Sequence, residues 1–277
     1  MRLYGYSICN ETWGSTAGSQ HNWPVVCGAA RDAGYTGIEI APFTFADDCR
    51  TLSSTDRRWI AKCASDAGLT ITALHWLLVS PAGMHIHSSE SSIRLKTVDY
   101  LKSLADLCVD VGADVMVLGS PGARKLDGLD HKGAVSRTID TLCDVAVHLA
   151  NTDVRICPEA LPAPEADFLL TQQEAAALVL QCNHPNIGMM LDVKSMCSEA
   201  AGAAALVETY GDITCHLHAN DANRRGPGFG STDFTAIAKA LKQTQFTGWI
   251  SVEVFDYTPD PITIANESLR HLKSVFS

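Results

Sequence analysis

The ten cysteines of this 277-residue chain include no Cys-x-x-Cys pair. That argues against a zinc ribbon or a thioredoxin-type motif. No run of 18 apolar residues occurs, so no membrane-spanning helix is expected. No Gly-x-Gly-x-x-Gly loop follows the first apolar run, as a dinucleotide fold would want. Basic residues are scarce, with 21 Lys+Arg against 31 Asp+Glu and a net charge of −10. Phosphate backbones call for a basic face, so no nucleic-acid partner is expected. The Met1–Gly5 start lacks the apolar core of a signal peptide, and a cytoplasmic location is expected. Linkers and low-complexity tracts are also missing, so residues 1–277 read as a single domain.

What is present is a core-forming composition. Hydrophobic residues make up 46% and charged residues 19%, which excludes a disordered chain. Most cysteines sit in apolar runs, as Cys108 and Cys215 do, and read as small buried hydrophobes in a reducing compartment. Paired disulfides are the alternative.

A short apolar run followed by an amphipathic stretch recurs eight times. The runs are 3–9, 37–41, 69–77, 114–118, 154–158, 187–191, 213–218 and 248–254. The stretches between are 23–33, 54–67, 91–111, 132–150, 172–182, 199–209, 232–243 and 261–276. The runs have the length and β-branched content of strands buried on both faces. The stretches repeat apolar residues at three and four, as in Leu101, Leu104, Ala105 and Cys108. Gly34, Gly68 and Gly112 suit left-handed helix caps, and Ser54 and Thr232 are expected N-caps. Eight strand–helix units predict an α/β fold, a single (β/α)8 TIM barrel. The Gly226–Gly230 segment is glycine-rich, but Pro227 and the helix spacing argue against a phosphate loop.

In such a barrel the chemistry sits at the C-terminal ends of the strands. Those ends carry Glu39, His75, Glu159, Asp192, His218 and Glu253. The last four come from consecutive strands and are flanked by apolar residues, where an unpaired charge is costly. Three carboxylates on one rim repel unless a cation lies between them. Oxygen donors with one imidazole suit Mn²⁺, Mg²⁺, Co²⁺ or Fe²⁺ better than structural zinc. Alternatively each acid caps a helix or pairs with an arginine. His216 and His218 alternate along the seventh run, and only one is expected to face the interior; parity does not choose.

At these residues the sequence resembles the sugar phosphate isomerase/epimerase family of xylose-isomerase-like barrels. Its members include ketose 3-epimerases and inosose isomerases and dehydratases. The resemblance spans the chain and is most specific from Glu159 to Asp256. It implies a divalent metal, most commonly Mn²⁺, held by Glu159, Asp192, His218 and Glu253, and so picks His218 over His216. It implies substrate contacts from Arg224 and from Glu165. One departure is Ser195, where the epimerases place a histidine; Lys194 precedes it. This leaves the sugar's binding mode open. The endonuclease IV branch shares the barrel but needs three zincs and more histidines; here Ser195 replaces one, and the fourth strand end, Leu118-Gly119-Ser120, has none.

The resemblance implies a metal-dependent isomerase or epimerase acting on a keto-sugar or polyol. A metal-bound enediolate would form as Glu159 or Glu253 removes a proton beside the carbonyl and the other returns it. The same intermediate allows β-elimination, making a dehydratase or lyase on a 3-keto-sugar the alternative. A non-catalytic sugar-binding or partner subunit is the reading from another class. His75, Trp76, Lys194 and Glu39 are further candidates for substrate contact. His75 has a core-histidine alternative, Lys194 a carboxylate-neutralising role, and Glu39 an arginine partner. Asn10–Trp13 is a candidate pocket wall, and Asn220 and Asp221 are candidates for ordering His218. His85 and His87 read as a solvated loop, with a lid or second metal as the sharper option. Cys157 and Cys215 read as packing. The only adjacent basic pairs near strand ends are Arg124-Lys125 and Arg224-Arg225, which favours an unphosphorylated substrate. The family's dimers and tetramers make a homo-oligomer the expected assembly.

Overall fold

The computed structural model describes residues 5–276. Positions 1–4, where the first expected strand begins, and position 277 are outside them. Eight strands alternate with helices along the chain: β1 (Gly5–Ile8), α1 (Trp23–Ala33), β2 (Gly37–Ile40), α2 (Ser54–Asp66), β3 (Thr70–Leu74), α3 (Ser91–Val111), β4 (Val115–Leu118) and α4 (His131–Leu149). There follow β5 (Arg155–Pro158), α5 (Gln172–Cys182), β6 (Met189–Asp192), α6 (Val193–Cys197), α7 (Ala203–Tyr210), β7 (Thr214–Ala219), α8 (Phe234–Gln243), β8 (Trp249–Val252) and α9 (Pro261–Phe276). The sixth unit differs from expectation: the predicted helix 199–209 corresponds to α7, which starts only after Gly202, and an unpredicted short helix, α6, sits directly at the end of β6.

All strand pairs are parallel, in two four-stranded sheets, β1-β8-β7-β6 and β2-β3-β4-β5. Single bridges, Cys9 to Glu39 and Ile156 to Ile187, join the sheets at both edges and close the barrel. β2, β4 and β6 are buried at every residue, as strands covered inside and out must be. A small interior cluster of Ala73, Val115, Val117, Cys157 and Met190 fills the lower barrel. The main core lies between the strands and the helical layer.

Local chemistry explains the helix ends. Gly34 and Gly112 adopt left-handed caps at φ 98° and 81°. The N-caps fall one residue from expectation. Ser53, not Ser54, forms a reciprocal capping box with Asp56, whose carboxylate accepts from the Ser53 backbone. Asp233, not Thr232, caps α8 by accepting from Ala236 N. In both, the residue with extended or non-helical backbone precedes the better-looking candidate or outcompetes it with a carboxylate.

Candidate active site

The strand register brings the polar residues to one rim. Asp192 pairs directly with His218 across β6 and β7, and Leu118 with Pro158 across β4 and β5, so the C-terminal ends finish level. Glu159 follows β5 and Glu253 follows β8. One donor atom from each of Glu159, Asp192, His218 and Glu253 lies within 4.8 Å of the others, and all four residues are buried. Gly119 at the end of β4 is what lets Glu159 fit, since a Cβ there would run into its carboxylate.

Neighbouring residues hold much of this set in place. Asp192 accepts from Ser195 N at 2.7 Å and from Asn220 Nδ2 at 2.6 Å. Arg124, fully buried, donates from Nη1 to the Glu159 carbonyl at 2.5 Å. His218 Nε2 lies 3.0 Å from Glu39 Oε1, and His216 Nε2 lies 2.9 Å from Glu39 Oε2. The expectation that only one of these histidines faces inward is therefore wrong. Residues two apart on a strand share a face, and both rings meet the same buried carboxylate. Glu39 accordingly has histidines, not an arginine or a free pocket surface, as its partners.

Burial raises the carboxyls of Glu159 and Asp192 above their usual range, with neighbouring acids adding to it. Burial also acts to raise Glu253, but His218 and His75 outweigh it and hold that carboxyl at about 2. Glu39 is likewise held well below the usual range because His216, His218 and His75 overcome its desolvation. Desolvation opposes charge on His75, yet Glu11 and Glu39 lift it to about 10. His218 is lifted well above its usual value, as Glu253 and Glu39 outweigh desolvation.

The donor set fits a divalent cation. With Nε2 engaged by Glu39, the remaining ring nitrogen of His218 faces Glu253 Oε2 at 3.0 Å and Glu159 Oε1 at 3.6 Å. That Nδ1 makes no hydrogen bond. A fully buried lone pair among three carboxylates is an arrangement completed by a cation. Without one, a proton on His218 must serve instead. Three carboxylates and one imidazole match hard or borderline metals and do not choose among them.

Beside this cluster lies a cleft of about 180 Å³ lined by His75, Trp76, Glu159, Glu165, Arg224 and Phe255, among others. His75 is both core and cleft residue: it is 1% exposed, and its ring bridges Glu11 Oε2 at 2.9 Å and Glu253 Oε1 at 3.2 Å. Trp76 and Arg224 have backbone φ of 52° and 72°, strained values for side chains of their size, and both form cleft wall. Lys194 Nζ grips both oxygens of Glu165 at 2.8 and 3.0 Å. It also lies 5.1 Å from the Phe255 ring, which carries Arg224 at 5.3 Å.

Several expectations need correction. Asn220 steadies Asp192 and the Lys194 backbone instead of His218. Asp221 gathers the backbone N–H groups of Gly228, Gly230 and Thr232, so the glycine-rich segment wraps a carboxylate. The His85–His87 loop is not simply solvated. His87 is fully buried, and both rings reach the Lys125 carbonyl, at 2.9 and 3.1 Å. Burial and the neighbouring His85 hold His87 at about 4, so it packs as a neutral ring against Phe168. Sequence reading missed Glu11 as a partner of His75, Arg124 behind Glu159, and Phe255 as a cleft wall. For Glu11 and Phe255 the signal was position alone, just beyond strands β1 and β8.

Comparison with known proteins follows the same line. The profile of a family described as xylose isomerase-like TIM barrel matches residues 27–275. A D-psicose 3-epimerase of Ruminiclostridium cellulolyticum is 28% identical over 80% of this chain and 74% of its own. An L-ribulose 3-epimerase of a Methylomonas species is 25% identical over 83% of this chain and 77% of its own. The crystal structure of D-psicose 3-epimerase with D-tagatose, from Clostridium cellulolyticum H10, superposes with a TM-score of 0.83 at 21% identity, covering 100% of each chain.

Proposed function

The chain belongs to the xylose isomerase-like TIM barrel family, and from that premise we propose that it is a sugar epimerase dependent on a divalent metal. On this reading residues 1–277 form one catalytic domain. The substrate is a small keto-sugar or related polyol, as the activities of the related epimerases suggest. The carrying observation is the hydrogen-bond-free Nδ1 of His218 facing Glu159 and Glu253 beside the cleft.

Glu159, Asp192, His218 and Glu253 would hold the cation, with Mn²⁺ the first choice and Mg²⁺, Co²⁺ or Fe²⁺ as alternatives. When bound, it supplies Lewis acidity for charge growing on a substrate oxygen. The chain's own residues do the rest. Glu159 and Glu253 come from opposite parts of the rim; one takes the proton beside the carbonyl and the other delivers it to the opposite face. His75, clamped by Glu11, fixes the orientation of Glu253. Glu165 and Arg224 bind hydroxyls at the cleft mouth, Lys194 holds Glu165 in place, and Trp76 and Phe255 offer ring faces to sugar C–H groups. Arg124 is buried, binds the Glu159 carbonyl through Nη1 and does not line the cleft, which supports an unphosphorylated substrate.

The test is deuterium incorporation from D₂O into a panel of keto-sugars by Mn²⁺-loaded protein. Exchange with an intact carbon skeleton supports epimerisation. Loss of water or of an aglycone supports elimination instead. Neither exchange nor bound metal supports a binding subunit. Glu159→Gln and Glu253→Gln should each lower exchange about 10²–10⁴-fold while circular dichroism shows the variants still folded. Near-normal exchange in both variants sinks the assignment.

A further inference from the structure

The opposite mouth of the barrel holds a pair of sulfurs that the proposed chemistry does not use. Cys157 on β5 and Cys215 on β7 place their Sγ atoms 3.2 Å apart. They meet over Gly188, between their two strands in sequence. A Cβ on Gly188 would lie 2.8 Å from Cys215 Sγ and 3.0 Å from Cys157 Sγ, so the contact exists because that residue has no side chain. Cys157 is fully buried, whereas Cys215 is half-buried and lines a funnel of about 780 Å³. Arg155 lines the same funnel, with Asp114, Asp153 and Asp212.

Position separates Cys215 from the other thiols. Burial pushes Cys9, Cys27, Cys63, Cys108 and Cys182 up, Cys27 to about 12. Cys215 is instead held below the ordinary thiol range: the hydrogen bond from Cys157 stabilises its anion, desolvation opposes this, and the Arg155 charge assists. Protonated, it donates to the Met189 carbonyl at 3.1 Å; deprotonated, it accepts from Cys157. A thiolate supported by a thiol and a guanidinium, and open to water, is nucleophilic.

We propose that Cys215 is a site of covalent modification by small neutral or cationic disulfides, with Cys157 as its hydrogen-bond donor. The three aspartates at the funnel disfavour anionic reagents. In the step, Cys215 Sγ⁻ attacks one sulfur of the reagent. A Cys215–reagent S–S bond forms, the reagent's own S–S bond breaks, and its other half leaves as a thiolate that takes a proton from water. Cys215 sulfur is oxidised and the departing sulfur reduced, so no further oxidant is needed. The product is the mixed disulfide at Cys215.

The test uses the folded protein with cystamine at neutral pH, read by intact mass and peptide mapping. The first adduct should fall on Cys215, ahead of the half-buried Cys63, Cys143, Cys182 and Cys197. Cys215→Ala should remove that fast phase, and Cys157→Ala should slow it about tenfold, the effect of one unit of thiol acidity on the thiolate fraction. The mapping on unsubstituted protein stands even if a variant folds poorly. A first adduct at any other cysteine overturns the proposal, as does a fast phase surviving Cys215→Ala. An unchanged rate in Cys157→Ala overturns the donor role. The result is independent of the sugar chemistry at the other mouth.

Discussion

The two mouths of the barrel are made from the same strands and treat charge in opposite ways. At the C-terminal mouth Glu39, Glu159, Asp192 and Glu253 are buried, and the carboxylates of Glu39, Asp192 and Glu253 are bound by imidazoles, amides or backbone N–H groups. At the N-terminal mouth Asp114, Asp153, Asp212 and Arg155 stand in solvent around a polar funnel. Buried charges cost stability unless every one finds a partner, while exposed ones are nearly free. The difference locates where the chain accepts an energetic cost, and such places are where function resides.

The sharpest way to break this comparison is Glu39→Ala. It leaves His216 and His218 without their common partner, and removal of one member of a buried ionic set costs about 3–5 kcal/mol. Urea unfolding should show that loss, and titration with Mn²⁺ should show affinity weakened about 10–100-fold. Stability within 1 kcal/mol of the parent would mean Glu39 is not holding the histidines.

The two glycines of close approach offer a matched pair. Gly119→Ala should displace the Glu159 carboxylate and strongly reduce activity. Gly188→Ala presses on the two sulfurs and should cost about 1–3 kcal/mol by overpacking, with activity retained. Equal activity losses in both would erase the functional asymmetry.

A pH series on chelator-treated protein resolves a smaller effect. His75 is raised to about 10, so its contribution is fully present below its unfolded value near 6.5 and fades as pH climbs toward 10. Glu253 is depressed to about 2, so its contribution is present above its unfolded value near 4.5 and fades as pH falls. The unfolding free energy should therefore peak between these limits, each limb falling by up to about 1.4 kcal/mol per pH unit and group. His75→Asn should flatten the alkaline limb; an unchanged limb would show that His75 does not carry it. The smallest expected effect is at the other mouth: Asp153→Ala should alter stability by no more than about 0.5 kcal/mol, and a larger change in urea unfolding would contradict its solvated placement.

Periodicity made the helices legible. α1, α3, α5 and α9 follow the apolar repeats to the residue, because each buries one stripe against the strands. The four rim residues stood out because acids and a histidine interrupted runs otherwise fit for full burial. What stayed hidden was pairing across the barrel. Glu39 meets His216 from 177 positions away, and His75 meets Glu253 from 178. No local pattern encodes such contacts; they follow only from closure of the sheet. The N-cap shift at Ser53 and the short α6 ahead of the sixth predicted helix are local misreadings of another kind, where backbone geometry overrode side-chain preference.

Closure through single bridges gives the barrel two half-shells with a seam on each side. Glu159 belongs to one half, and Asp192, His218 and Glu253 to the other. Glu39 and His75, from the first half, also reach into the second. The polar cluster is thus a clasp between halves that backbone pairing joins only thinly. An ion seated there would tie both shells to one point, and its departure would let them breathe along the seam that the cleft overlooks.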